Sequence, residues 1–156
     1  MFTYVILALM SICFGSYTCA KPISSKKEVE KIVRACQETD AWMEAHIDVN
    51  SCDPNDIRSE DTIRAYAKRL CALLSLNHEI IGNEPTITYY GGNKQTNGFL
   101  LMLPTSQAHF TARFVNMTNT IYLTISSKKA FDPYEIAEAT KKFFKARDCS
   151  TNVTLR

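Results

Sequence analysis

Ala108-His109-Phe110-Thr111-Ala112-Arg113-Phe114 and Thr120-Ile121-Tyr122-Leu123-Thr124-Ile125-Ser126 flank the turn-prone Asn116-Met117-Thr118-Asn119, and in both segments apolar residues recur at every second position. A strand sends successive side chains to opposite faces, so a period of two marks a half-buried strand. The link between them is short enough to make a hairpin. Upstream, Thr86–Tyr90 and Phe99–Leu103 read as strands as well, with turns at Gly91-Gly92-Asn93 and Pro104. Four strands joined by short connections favour an antiparallel sheet.

Earlier in the chain Met43, Ala45, Ile47 and Val49 alternate with Trp42, Glu44, His46 and Asp48, giving one more strand. Three helices surround this pattern. Ser25 and Glu28 form a capping box ahead of Val29, Ile32, Val33 and Cys36 on one face. Ser59, followed by Glu60 and Asp61, opens a helix whose stripe is Ile63, Tyr66, Ala67, Leu70 and Leu73. Asp132-Pro133-Tyr134-Glu135 opens the last, with Ile136, Ala139, Phe143 and Phe144 as its apolar side. Ser51 to Asp56 reads as a turn, and Asn152–Leu155 as a final short strand. The expected class is α+β: a two-layer sandwich, mainly antiparallel, with two main helices on one face and an extra N-terminal helix.

The first charged side chain is Lys21, and a mostly apolar run occupies Val5 to Phe14. That run is too short for a bilayer, which takes about 20 residues. With Thr18 and Ala20 before a cut, residues 1–20 are expected to be a signal peptide. Residues 21–156 would then be one exported domain with no membrane span. A net charge of +2 gives no reason to expect a nucleic-acid partner. Cys36, Cys52, Cys71 and Cys149 would remain, an even set that suits two disulfides in an oxidising compartment. The helix and strand directions favour Cys36–Cys71 at one end and Cys52–Cys149 at the other. His46, His78 and His109 lack ligand spacing, so no metal is expected. Asn116-Met117-Thr118 and Asn152-Val153-Thr154 match the glycosylation acceptor pattern.

No nucleophile elbow or phosphate-binding glycine loop is present. The suggestive polar cluster lies on one face of two neighbouring strands: His109, Thr111 and Arg113, beside Tyr122. These four are the candidates for an anionic or polar ligand, against the plainer reading of a solvated sheet face.

Taken in order, His46 to Pro54, the glycine turn before Asn97-Gly98-Phe99, Gln107 to Arg113, and Ile121 to Pro133 resemble the prokaryotic-type S-adenosylmethionine decarboxylases. The likeness runs from about Trp42 to Arg156. It implies an α/β domain that pairs into homodimers. Its catalytic pattern is not matched. The family cleaves a Glu-Ser bond to make a pyruvoyl cofactor, an electron sink for the substrate. Here the corresponding pair is Gln107-Ala108, and alanine has no hydroxyl to attack the preceding carbonyl. Arg113 stands at the processing His, and Ser127-Lys128 near the catalytic Cys.

The expectation is therefore a secreted, non-enzymatic relative without pyruvoyl or other cofactor, binding an unidentified protein or small molecule. Two other readings are an effector or toxin-like factor acting on a receptor, and an enzyme of altered chemistry using Ser106 or Ser127 with His109. Expressed in a secretory host, the protein should have one uncleaved chain beginning at Lys21. Its mass should fall on glycosidase treatment, less so in Asn116→Gln, and not at all once Asn152→Gln is added. Two fragments split near residue 107 would refute the non-catalytic reading.

Overall fold

The computed structural model describes residues 25–75, 81, 84–92 and 97–156. The expected leader, His78 and most of the turn after Gly92 lie outside these. Chain order is α1 (Lys26–Glu38), β1 (Met43–Asn50), α2 (Pro54–Ile57), α3 (Glu60–Leu73), β2 (Thr86–Tyr90), β3 (Gly98–Pro104), β4 (Ala108–Val115), β5 (Thr120–Ser127), α4 (Pro133–Phe143) and β6 (Asp148–Leu155). The six strands form one sheet in the order β2-β3-β4-β5-β1-β6, every neighbouring pair antiparallel. The class is α+β. Among the described residues no helix is long and apolar enough to cross a membrane.

Side-chain chemistry starts each helix where the sequence places it. The Ser25 hydroxyl accepts from the Glu28 amide as an N-cap and donates to the Glu28 carboxylate. The Ser59 hydroxyl accepts from the Thr62 amide, and the Asp132 carboxylate from the amides of Tyr134 and Glu135. Residues 54–57 depart from the sequence reading, because α2 forms where a plain turn is expected. Asp53 accepts from the Asn55 amide and Pro54 takes the first helical position, so the same residues that favour a turn also start a helix. The Asn55 amide and the Lys145 ammonium hold the Asp53 carboxyl below its ordinary range.

The hairpin between β4 and β5 is fixed from outside. Arg58 donates one guanidinium nitrogen to the Asn116 carbonyl (2.9 Å) and to Asn119 Oδ1 (3.1 Å). Asn119 has φ of 50°, a conformation that asparagine tolerates better than most residues. Its carbonyl accepts from the Cys52 amide, which joins the hairpin to the end of β1.

Burial alternates as the period-two pattern requires. Met43, Ala45, Ile47 and Val49 of β1 and Ala108, Phe110, Ala112 and Phe114 of β4 are buried, and they share a core with Ile63, Tyr66, Leu70, Ile136 and Phe144. At its centre Tyr66 and Phe144 meet edge to face at 4.9 Å, and Phe144 also touches Phe114 and Phe143. Such ring pairs add to area burial. Thr140, absent from the expected apolar side of α4, is also buried. Its hydroxyl donates to the Ile136 carbonyl and meets the Tyr66 hydroxyl at 2.8 Å, so neither is left unsatisfied.

Phe144→Ala should cost about 3–5 kcal/mol, the usual range for removing a buried aromatic ring. Asp132→Ala should cost about 1 kcal/mol through loss of the cap. Urea denaturation followed by circular dichroism measures both, and equal costs would contradict this account of the core.

Candidate functional site

The strand residues opposite the core form a second face of the sheet, and all four candidate ligand residues lie on it. Register sets their spacing. Arg113 pairs with Tyr122, Thr111 with Thr124, and His109 with Ser126. His109 and Arg113 are four residues apart, so they stand about 13 Å from each other along the strand. The candidates therefore fall into two neighbourhoods rather than one site.

Around Arg113 the backbone makes an opening. Gly98 of β3 lies against β4 so closely that an added Cβ would run into the Phe114 carbonyl and crowd the Tyr90 hydroxyl. With no side chain there, Tyr90 reaches across and donates to the Phe114 carbonyl at 3.0 Å. The Arg113 guanidinium then lies 5.7 Å from the centre of the Tyr90 ring, within cation–π range. Tyr90, Gly91, Gly92, Leu100 and Arg113 line a cavity of about 450 Å³. Arg113 makes no ion pair with a described carboxylate. Tyr122, beside it on β5, is 46% exposed.

His109 is engaged otherwise. Its ring stacks on Trp42 with 3° between the planes and 5.7 Å between centroids, and the Lys128 ammonium lies 5.9 Å from the Trp42 ring. The acid–histidine–hydroxyl line of this face runs through His46 instead. His46 Nε2 donates to Glu44 Oε1 at 2.8 Å, because a carboxylate can only accept, and Nδ1 lies 3.2 Å from the Thr124 hydroxyl. Arg156 grips the same carboxylate through Nε and Nη2, each at 3.1 Å. These contacts explain why Glu44, on the face expected to be open, is only 7% exposed.

The line resembles a hydrolytic triad in residue type alone. Strands flank both β1 and β5 on each side, so their amides are committed to the ladder and cannot serve an oxyanion. Arg156 also neutralises the carboxylate that would have to support an imidazolium. The arrangement ties β1 to β5 and to the residue after β6. Of the two serines considered as nucleophiles, Ser127 is buried, accepting from the Lys129 amide and donating to the Lys129 carbonyl. Ser106 sits in the exposed turn before β4. At Gln107-Ala108 the backbone is held by Thr105, whose hydroxyl accepts from the Ala108 amide and donates to the Ala108 carbonyl.

The expected disulfides Cys36–Cys71 and Cys52–Cys149 are not formed, and all four cysteines are free thiols. Cys36 turns toward the Ala41 and Lys128 carbonyls and Cys52 toward the Val49 carbonyl, while Cys149 lies 4.0 Å from Glu138. Cys149 pairs across the strands with Val49 on the β6 side of β1. The Cys52 amide instead donates to Asn119 on the β5 side. Reaching the same end of the sheet is thus not enough to bring those two sulfurs together. Burial pushes the Cys52 thiol up to about 12 and raises Cys36 and Cys71, while burial and the Glu138 carboxylate raise Cys149.

The two sequons differ in setting. Asn116 occupies the β4–β5 turn, whereas Asn152 lies within β6 opposite His46. Among the described residues no three metal-ligating side chains gather. No protein-family model and no curated protein matches the chain.

The reduced protein treated with iodoacetamide at pH 8 should be modified at Cys149 first, since it is the one thiol of the four not fully buried. Cys36, Cys52 and Cys71 should become reactive only on unfolding, because the thiolate is the nucleophile and burial withholds it. Peptide mapping reads the order, and early modification of Cys52 would overturn it.

Proposed function

We propose that the chain is an exported, non-catalytic binding protein whose notch at Arg113 receives an anionic ligand with a flat or apolar body. The observation that carries this reading is the guanidinium itself. It stands over an aromatic ring at the mouth of a cavity, on the sheet face opposite the core, with no described carboxylate to neutralise it. Guanidinium matches carboxylate and phosphate geometry through paired donors. Tyr90 and Leu100 supply the apolar walls that typical ligand sites combine with a few polar groups.

The residues considered for catalysis, which lie elsewhere on the sheet, favour binding over turnover. Ala108 offers no nucleophile, the Ser127 hydroxyl is engaged with Lys129, and the His46 line lacks oxyanion donors. The resemblance to S-adenosylmethionine decarboxylases, which rests on sequence motifs alone, adds S-adenosylmethionine to the probes because it carries a carboxylate and an aromatic base. The apolar run at residues 5–14 is what supports export.

A thermal-shift titration with S-adenosylmethionine, AMP and spermidine tests the reading. The two anion-bearing compounds should raise the melting temperature by a few degrees, and spermidine should not. Arg113→Ala should abolish the shift, and Arg113→Lys should weaken it. Absence of any shift, or an unchanged shift in Arg113→Ala, would remove Arg113 from the proposal.

A further inference from the structure

The row of residues that crosses the open face at Arg113 continues beyond the notch. Arg113 of β4 pairs with Tyr122 of β5, and Tyr122 pairs in turn with Asp48 of β1. The chain neighbours of all three, Ala112 and Phe114, Ile121 and Leu123, Ile47 and Val49, are buried in the core. Successive side chains of a strand alternate, so Arg113, Tyr122 and Asp48 all leave the sheet on its open side. Each of the three strands has another strand hydrogen-bonded on both sides, which fixes the register of the row.

Two opposite charges in this row are held apart. Adjacent strands lie about 4.8 Å from each other, so two spacings set Arg113 and Asp48 about 10 Å apart, with Tyr122 between them. Neither makes an ion pair among the described residues. The other carboxylates of this face are engaged: Glu44 by His46 and Arg156, and Asp148 by the Asn50 amide. Tyr122, 46% exposed, presents a broad apolar surface between the two charges. The row is thus positive at one end, apolar in the middle and negative at the other.

Its complement is a molecule charged in the reverse order, since matched potentials select one partner over another. A plain anion seated on Arg113 leaves Asp48 unanswered. An anion with an ammonium about 10 Å away answers both. An extended peptide advances about 3.3 Å per residue, so the free ends of a tripeptide have this separation. A side chain on its last residue would stand beside the carboxylate, where Tyr90 and Leu100 line the notch.

We infer that the ligand is an extended zwitterion of tripeptide length, with its carboxylate on Arg113, its body across Tyr122 and its ammonium on Asp48. This rests on the reading of Arg113 as the anion's seat, and it makes Asp48 and Tyr122 determinants of specificity.

NMR titration with Gly-Gly-Phe, and with the same peptide acetylated at its amino end, tests the inference. The free peptide should bind about five-fold more tightly than the acetylated one, the upper measure of a single exposed ion pair. Asp48→Asn should bind the two forms alike, and Arg113→Ala should weaken both. Gly-Phe, too short to reach Asp48, should gain nothing from its free amine. Equal binding of the two tripeptides by the parent, or an advantage that survives in Asp48→Asn, would overturn the inference while leaving an anion site at Arg113, because the acetylated form keeps its carboxylate. Binding of neither tripeptide would also overturn it. Failure of the Arg113 reading is told apart by AMP, which carries no ammonium and whose thermal shift depends on Arg113 alone.

Discussion

Strand β1 is the constraint on which the rest of the molecule depends. It comes first among the strands yet lies between β5 and β6, hydrogen-bonded to both, so the two ends of the folded chain meet along it. Its four inward residues, Met43, Ala45, Ile47 and Val49, are fully buried. Because the pairing is so distant in sequence, the local hairpins β2-β3, β3-β4 and β4-β5 can form without it, but the core cannot close. The side-chain network on the outer face follows the same rows. Glu44, His46, Thr124 and Arg156 tie β1 to the strands that enclose it.

Much of this order is legible from residue pattern because it depends on local chemistry. Ser25, Ser59 and Asp132 each cap the helix that their sequence context announces, and the alternation of 108–114 and 120–126 matches β4 and β5 to within one residue. The places where the pattern misleads share a cause. Asp53-Pro54-Asn55 can make a turn or start a helix, and only the packing of Ile57 into the core decides between them. Thr140 reads as polar until Tyr66, 74 residues away, provides its partner. Glu44 reads as solvated until Arg156, 112 residues away, covers it.

The candidate site is legible in the same partial way. Period two correctly assigns His109, Thr111, Arg113 and Tyr122 to a common face, but it contains no distance along the strand and no neighbour across it. Register separates His109 from Arg113 and brings in Tyr90 and Leu100 from strands earlier in the chain. The cysteines make the same point. Topology can bring Cys52 and Cys149 to one end of the sheet, yet bond formation depends on which side of β1 each occupies.

Gly98 serves two purposes at a single position. Its missing side chain allows β3 to approach β4 and allows Tyr90 to cross beneath Arg113. Any replacement would disturb the strand pairing and displace the aromatic floor of the notch together. Over evolutionary time the scaffold and the notch therefore cannot drift separately at this position. Strand packing alone obliges the chain to keep this glycine, so the shape of the notch is preserved by the scaffold whether or not anything occupies it.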